Sequence, residues 1–299
     1  MRDQSPTEHC LAHRSDQGQP FDHGAAELDI TLLLGTDVVA VRDVLCVGRC
    51  RHESSEEAAD TTRLVFPYRG IYIRHVGRAE SVAEPNHVIF FNNGEPYRIS
   101  HPVVGGDSCL SIGVAAETLL ELAPTECLQT SDWAVFTQPR LPIDTKTQAL
   151  AALLRHRLHS GLCGQLEAET LTLELLQRTL GRRDRHTRNG NTVRQKLVDR
   201  AKLLVASDLS RRWSLAEIAT EIGISPVYLT HVFQKVEGIP LYRYQLQLRL
   251  AQALGLLSDY HNFSDLAFAL GFSSHSHFSA AFKQAYGQTP SAFRRAAQI

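Results

Sequence analysis

Apolar residues change their spacing twice along this chain. Between about residues 38 and 114 they come in short β-branched or aromatic runs: Val38–Val41, Val44–Val47, Arg63–Phe66, Gly70–Arg74, His87–Phe91, Tyr97–Ile99 and Cys109–Val114. Gly, Pro, Asn or charged residues divide them, which is the signature of strands and turns. Many short strands at this interval predict a sandwich or small barrel. From Leu119 the period becomes helical. Thr147 to Gly161 carries Leu150, Leu153, Leu154 and Leu158, and Leu166 to Leu180 carries Leu171, Leu173, Leu175 and Leu176. Gly161 and Gly164 interrupt the pair, so an antiparallel helical hairpin is expected. Its Leu-rich stripe suits either an intradomain core or a homodimer surface. Val193 to Ala206 then predicts a helix burying Leu197, Ala201, Leu204 and Val205.

One pattern occurs twice after that. Ser214 to Lys235 and Ser264 to Gln284 align on Gly223 and Gly271, which superimposes Ile218 on Leu266, Ala219 on Ala267, Ile222 on Leu270 and Ile224 on Phe272. Each copy reads as a short helix, a Gly turn and a second helix, the helix-turn-helix layout. Ser214 and Ser264 stand where an N-cap belongs, and the two glycines where the chain enters a left-handed conformation. Ser225 and Pro226 supply a cap and a first-turn proline. The second helix of copy one buries Leu229, Val232, Phe233 and Val236; the matching set in copy two is Phe278, Ala281, Phe282 and Ala285. Between the copies, Tyr244, Leu248, Ala251, Leu254 and Leu257 form a stripe on a connecting helix that fixes their separation. Two rigidly spaced helices of this kind could enter successive major grooves, which recur about 34 Å apart.

The other face of each second helix is polar. Copy one offers Val227, Tyr228, Thr230, His231, Gln234 and Lys235; copy two offers His275, Ser276, His277, Ser279, Lys283 and Gln284. Gln can pair with adenine, and Ser, Thr and Lys reach bases or phosphates. The DNA-contact candidates are therefore Tyr228, Thr230, His231, Gln234, Lys235, His275, Ser276, Ser279, Lys283 and Gln284. Arg249, inside the connecting helix, joins them as a phosphate contact or else bridges the two units.

Over Gln195 to Ala297 the chain resembles the AraC/XylS family of bacterial transcription regulators. The likeness rests on the first helix-turn-helix, Gly238, Tyr244, Arg249, Ala253, Leu256-Leu257, Gly271-Phe272-Ser273, Phe278, Phe282-Lys283, Gly287 and Thr289-Pro290. Pro240 departs from it, lying two residues after Gly238 rather than three. Glu84 to Pro102, with its Gly94-Glu95-Pro96 turn and His101, resembles the cupin-type sensor half found before many such modules. The resemblance implies promoter DNA, RNA polymerase and a small-molecule effector as partners, with activation the commoner role. Phe66, Tyr72, Phe90 and Tyr97 are the candidates for an effector pocket, the alternative being that they fill an ordinary barrel core.

Composition agrees with this division. From residue 193 onward there are 12 Lys and Arg against 7 Asp and Glu, leaving 19 against 25 before it. A basic module beside an acidic one fits phosphate contact at one end only. The expected architecture is α+β and multidomain: a disordered segment over residues 1–26, a cupin-like barrel over 27–146, a helical hairpin over 147–181, a linker over 182–192 and an all-α DNA-binding module over 193–299, with helix-turn-helix units at about 214–237 and 264–287. All 6 Cys precede the module, at positions 10, 46, 50, 109, 127 and 163. With no secretion signal or membrane-length apolar run, a cytoplasmic protein with free thiols is expected.

An enzyme is not expected. There is no Gly-x-Ser-x-Gly elbow or phosphate loop, and no His-x-His followed by Glu to hold a cupin metal, so neither cofactor nor metal is assigned. Cys46, Cys50 and His52, with His75, His87, His101 and Cys109, leave a metal- or thiol-responsive regulator as the alternative. A cupin enzyme with an appended DNA-binding module is the remoter one.

Overall fold

The protein is described from a computed structural model over residues 28–47, 52–130, 134–161, 163–181 and 192–297. The expected disordered segment and residues 182–191 of the expected linker lie outside the described residues.

The N-terminal half is built on two main antiparallel sheets. One runs in the order β1 (Leu28–Gly35), β2 (Val39–Cys46), β9 (Asp107–Val114), β4 (Arg63–Gly70), β7 (His87–Phe91) and β12 (Arg140–Pro142). The other runs β3 (Glu57–Ala58), β8 (Pro96–Ser100), β5 (Tyr72–Val76) and β6 (Ala79–Ala83). A short pair, β10 (Leu128–Thr130) with β11 (Ala134–Phe136), follows helix α1 (Ala116–Leu122).

Alternation along the central strands sorts their side chains into two cores. Leu64, Phe66, Val88, Phe90, Leu110 and Ile112 join Leu154, Leu175, Leu176 and Leu180 of the helices behind the sheet. Val65, Ile89, Phe91 and Cys109 meet Tyr72 and Ala83 of the second sheet. Burial on both faces explains why β7, His87–Phe91, is an unbroken apolar run rather than an alternating one. The runs Val38–Val41 and Val44–Val47 belong to one strand, not two. The apparent break, Asp43, is 2% exposed and accepts hydrogen bonds from Tyr68 Oη at 2.8 Å and His159 Nε2 at 2.5 Å.

The hairpin is α2 (Thr145–His159) and α3 (Gln165–Leu180). Asp144 starts α2 early by accepting from Thr147 N at 2.8 Å. The Leu stripe is absorbed within the chain: Leu154, Leu175 and Leu176 are fully buried against the sheet. Ala152, with Ala149 and Leu153, faces the C-terminal half. Thus α2 is a shared wall, and Leu154, Leu175 and Leu176 of the stripe serve as intradomain core.

The C-terminal half comprises seven helices among the described residues: α4 (Thr192–Ser207), α5 (Leu215–Ile222), α6 (Pro226–Glu237), α7 (Leu241–Leu256), α8 (Phe263–Ala269), α9 (His275–Tyr286) and α10 (Pro290–Ala297). One core gathers α4, α5, α6 and the start of α7; another gathers the end of α7 with α8, α9 and α10. Helix α7 is therefore buried on more than its expected stripe. Tyr244 and Leu248 serve the first core, while Leu250, Ala253, Leu254 and Leu257 serve the second. Its Gly255 lies against the barrel, where an added Cβ would meet Tyr68 Cδ2 at 3.0 Å and Tyr68 O at 3.2 Å.

Candidate nucleic-acid interface

Helices α5 and α6 form the first helix-turn-helix unit. Ser214 Oγ accepts from Glu217 N, and the Glu217 carboxylate accepts from Ser214 N at 2.7 Å, a reciprocal capping box. Gly223 closes α5 at φ 81°, a left-handed conformation that a side chain disfavours. Ser225 caps α6, with Pro226 at its first turn. Leu229, Val232, Phe233 and Val236 are buried beneath it.

The second unit is α8 and α9. Its first cap is Asn262, whose side chain accepts from Ser264 N at 2.9 Å. Ser264, expected at the cap, instead lies inside the first turn, because Asn262 captures that N–H two residues earlier. Gly271 has φ 78°, and Ser274 caps α9 by accepting from His277 N at 3.1 Å. Phe278 and Phe282 are fully buried, with Ala281 and Ala285 packed at the core's margin.

The polar faces point outward. On α6, Val227 is 81% and Tyr228 41% exposed, and Thr230, His231, Gln234 and Lys235 are exposed with them. On α9, His275, Ser276, His277, Lys283 and Gln284 are exposed and Ser279 is half-buried. Two hydroxyls already have partners: Thr230 Oγ1 donates to Pro226 O at 3.0 Å, and Ser279 Oγ lies 3.2 Å from His275 Nε2.

Arg249 takes the bridging role of its two readings. Nε donates to Leu209 O at 2.8 Å, one terminal nitrogen to Arg211 O at 2.8 Å, and the other to Gly271 O at 3.2 Å. Every guanidinium nitrogen is thereby engaged with carbonyl oxygens ahead of the first unit and in the turn of the second. These contacts favour the bridging reading over the phosphate one.

The four residues expected to line an effector pocket are dispersed. Phe90 is 1% exposed and stacks on Phe136 with centroids 3.8 Å apart. Tyr72 and Tyr97 belong to the core between the sheets, where Tyr97 meets Phe91 edge-on and donates to Glu57 Oε2 at 3.1 Å. Phe66 borders a cavity. That space, a narrow cleft, lies between β4, α2 and α7 and is also lined by Tyr68, Leu110, Arg155, Ala251 and Leu254.

Two further constellations emerge only in three dimensions. At the end of β2, Cys46 stands opposite Asp107 in register, and His101 Nε2 lies 2.6 Å from Asp107 Oδ1. Burial lowers the basicity of His101, but hydrogen bonds with Asp107 and Cys46 outweigh it and lift the imidazole to about 10. The sequence associates Cys46 with Cys50 and His52 instead; Cys50 is outside the described residues.

The second constellation joins the two halves of the chain. Lys202 of α4, with no exposed side-chain surface, sits 3.4 Å from Glu84 Oε1 and 2.8 Å from Glu237 Oε1. His87 Nδ1 lies 2.6 Å from Glu84 Oε1, and Arg140 contacts Asp199 at 3.4 Å. Burial pushes the Glu84 carboxyl up, yet Lys202 and His87 outweigh it and hold it at about 2. Burial and then Lys202 depress the basicity of His87, against the Glu84 carboxylate, which raises it. Of these residues the sequence singles out His87 alone, and for metal or thiol sensing rather than for a charge cluster between the halves. The visible signal was Lys202 itself, which falls on the buried stripe of α4 with Val198, Ala201 and Val205.

Comparison with known proteins agrees with this geometry. A family model described as a helix-turn-helix domain matches residues 218–296. The Msm operon regulatory protein of Streptococcus mutans is 28% identical over 114 residues, covering 38% of this chain and 41% of that protein. The uncharacterized HTH-type transcriptional regulator YidL of Escherichia coli is 38% identical over 87 residues, 29% of each chain. The chain thus spans less than half the length of these two relatives. A solved AraC-type regulator from Chromobacterium violaceum is 29% identical, covers 36% of this chain and 96% of that one, and has a TM-score of 0.34. With two helix-turn-helix units hung on one connecting helix and a helix-turn-helix family match over residues 218–296, the C-terminal module is similar to the corresponding part of these regulators.

Proposed function

We propose that the protein is a sequence-specific DNA-binding transcription regulator, working in the cytoplasm on promoter DNA, whose β-rich half controls how the helical module is presented. The observation that carries this is the paired arrangement of α6 and α9. Each buries its apolar face in its own core and leaves a polar, hydrogen-bonding face to solvent. Such faces suit groove edges, with Lys235 and Lys283 late on each helix as phosphate contacts that fix register. Among the described residues no helix is long and apolar enough to cross a membrane.

Control by an effector requires that the effector favour one arrangement of the two halves over another. The cavity between β4, α2 and α7 suits that role better than the barrel interior, because Tyr68 on one wall and Ala251 and Leu254 on the other come from different halves. Recruitment of RNA polymerase, activation and a homodimer belong to this reading as its further parts.

The test is footprinting of the full chain on its organism's own upstream regions, followed by His231→Ala and Ser276→Ala variants of retained fold. Loss of preference for the protected sequence is expected in at least one variant. Unchanged preference in both removes those residues from readout, and no protected site on any upstream region overturns the proposal.

A further inference from the structure

We infer that Cys46, His101 and Asp107 form a binding site for one zinc-class divalent metal ion at the mouth of the β-rich half. One ligand atom from each lies within 4.8 Å of the other two. The set supplies a thiol, an imidazole and a carboxylate, the three donor types that tetrahedral zinc takes from proteins. Metal bonds of about 2.0–2.3 Å place tetrahedral ligands roughly 3.2–3.8 Å apart. The present spacing therefore needs side-chain adjustments of an ångström or so, with the 2.6 Å contact between His101 Nε2 and Asp107 Oδ1 opening slightly.

The backbone is shaped for this convergence by two glycines, Gly70 and Gly106, at the turn before β9. Gly106 has φ 68°, and a Cβ there would fall 2.0 Å from Cys46 O. Gly70 faces the same turn, where a Cβ would fall 2.0 Å from Gly106 O. Only side-chain-free residues let the turn cross the ends of β2 and β4, and that crossing sets Asp107 beside Cys46. His101 and Asp107 are each 7% exposed while Cys46 is half-buried. The site thus has two enclosed ligands and an open side at the thiol. Cys109 Sγ, 3.1 Å from Asp107 Oδ2, supports the carboxylate from behind, as partners behind metal ligands commonly do.

Charge also balances. On binding, the Cys46 S–H proton and the proton shared by His101 Nε2 and Asp107 pass to solvent as metal–sulfur, metal–nitrogen and metal–oxygen bonds form. Two protons leave as two positive charges arrive, so the enclosed site keeps its net charge. Three protein ligands leave a fourth position for water or an exogenous donor.

The full-length chain, stripped with chelator under reducing conditions, is titrated with Co²⁺ as a spectroscopic stand-in for zinc, without DNA. The expected result is one Co²⁺ per chain with a thiolate-to-cobalt charge-transfer band, bleached by stoichiometric Zn²⁺. Cys46→Ala, at a half-buried strand end, loses the band and binds at least tenfold more weakly while keeping its melting transition. His101→Gln weakens cobalt binding likewise, and Cys163→Ala leaves it unchanged. Absence of the band in the parent chain, or its persistence in Cys46→Ala, overturns the site. Because DNA is absent from the measurement, its failure and that of the regulatory reading are told apart.

Discussion

Lys202 and Glu84 meet across the boundary between the two halves of the protein, 3.4 Å apart and both without exposed side-chain surface. Lys202 also faces Glu237, at the C-terminal end of α6. One ammonium group therefore ties a loop beside β7 to a helix whose outer face is offered to DNA. Removing one partner of a buried charge set leaves the others desolvated and unpaired, which costs about 3–5 kcal/mol. Lys202→Met is expected to lose stability on that scale in urea titration. Adding Glu84→Gln and Glu237→Gln should recover part of the loss. A single Lys202→Met variant as stable as the parent would show that the contact contributes little.

The second link between the halves responds to acid. His156 of α2 is 5% exposed, and its Nε2 donates to Leu254 O of α7 at 3.1 Å with Arg155 3.2 Å from the same nitrogen. Burial, then the Arg155 charge, depress the imidazole to about 4. Between pH about 6.5 and 4 the unfolded chain holds a proton that the folded chain refuses. The stability from neutral His156 is thus complete above about 6.5 and lost as pH falls towards 4, by up to about 3 kcal/mol. Melting temperature followed from pH 7 to 4 should fall more steeply in the parent than in His156→Gln. Parallel curves would remove His156 as the cause.

Close approach of α7 to the barrel depends on Gly255. A helix-interior glycine costs about 1 kcal/mol relative to alanine, so its presence in α7 calls for a packing reason. The Tyr68 ring and carbonyl, at 3.0 and 3.2 Å from an added Cβ, provide one. Gly255→Leu is expected to force the two halves apart, with faster protease cleavage at their boundary and retained far-UV helicity. Unchanged cleavage would mean that Tyr68 gives way without cost.

Much of the C-terminal half was legible in the sequence because its signals are local. Caps such as Ser214 and Ser225, the left-handed glycines and the i, i+3, i+4 burial pattern are written within a turn or two of the residues they govern. Ser264 shows the limit, since Asn262 caps the helix two residues earlier by accepting from the N–H of Ser264 itself. The β-rich half was legible as a class but not in detail. Among the described residues β1 pairs only with β2, and it leaves Ile30 and Leu32 exposed, so it lacks a buried alternation to announce it. The buried charges were hidden for another reason. Glu84 and Lys202 are 118 positions apart, and the cost of enclosing either shows only once its partner is in place. His101, Asp107 and Cys46 were hidden likewise, because strand register rather than spacing brings them together.

Lys235 and Arg249 are both cationic, and their surroundings predict opposite behaviour. Lys235 is exposed near the end of α6, whereas Arg249 donates to the carbonyl oxygens of Leu209, Arg211 and Gly271. Each phosphate contact adds about 0.9 to the slope of log affinity against log salt on duplex DNA. Lys235→Gln should therefore reduce the slope magnitude by about 1 while leaving sequence preference and melting temperature near the parent values. Arg249→Lys keeps the charge but cannot reach three diverging carbonyls, and each hydrogen bond lost there costs about 0.5–1.5 kcal/mol. It should lower the melting temperature, and at a temperature where the variant remains folded its salt slope should match the parent's. A reduced slope in Arg249→Gln with unchanged stability would reverse the assignment, making this residue a phosphate contact and the carbonyl contacts a resting arrangement that DNA displaces.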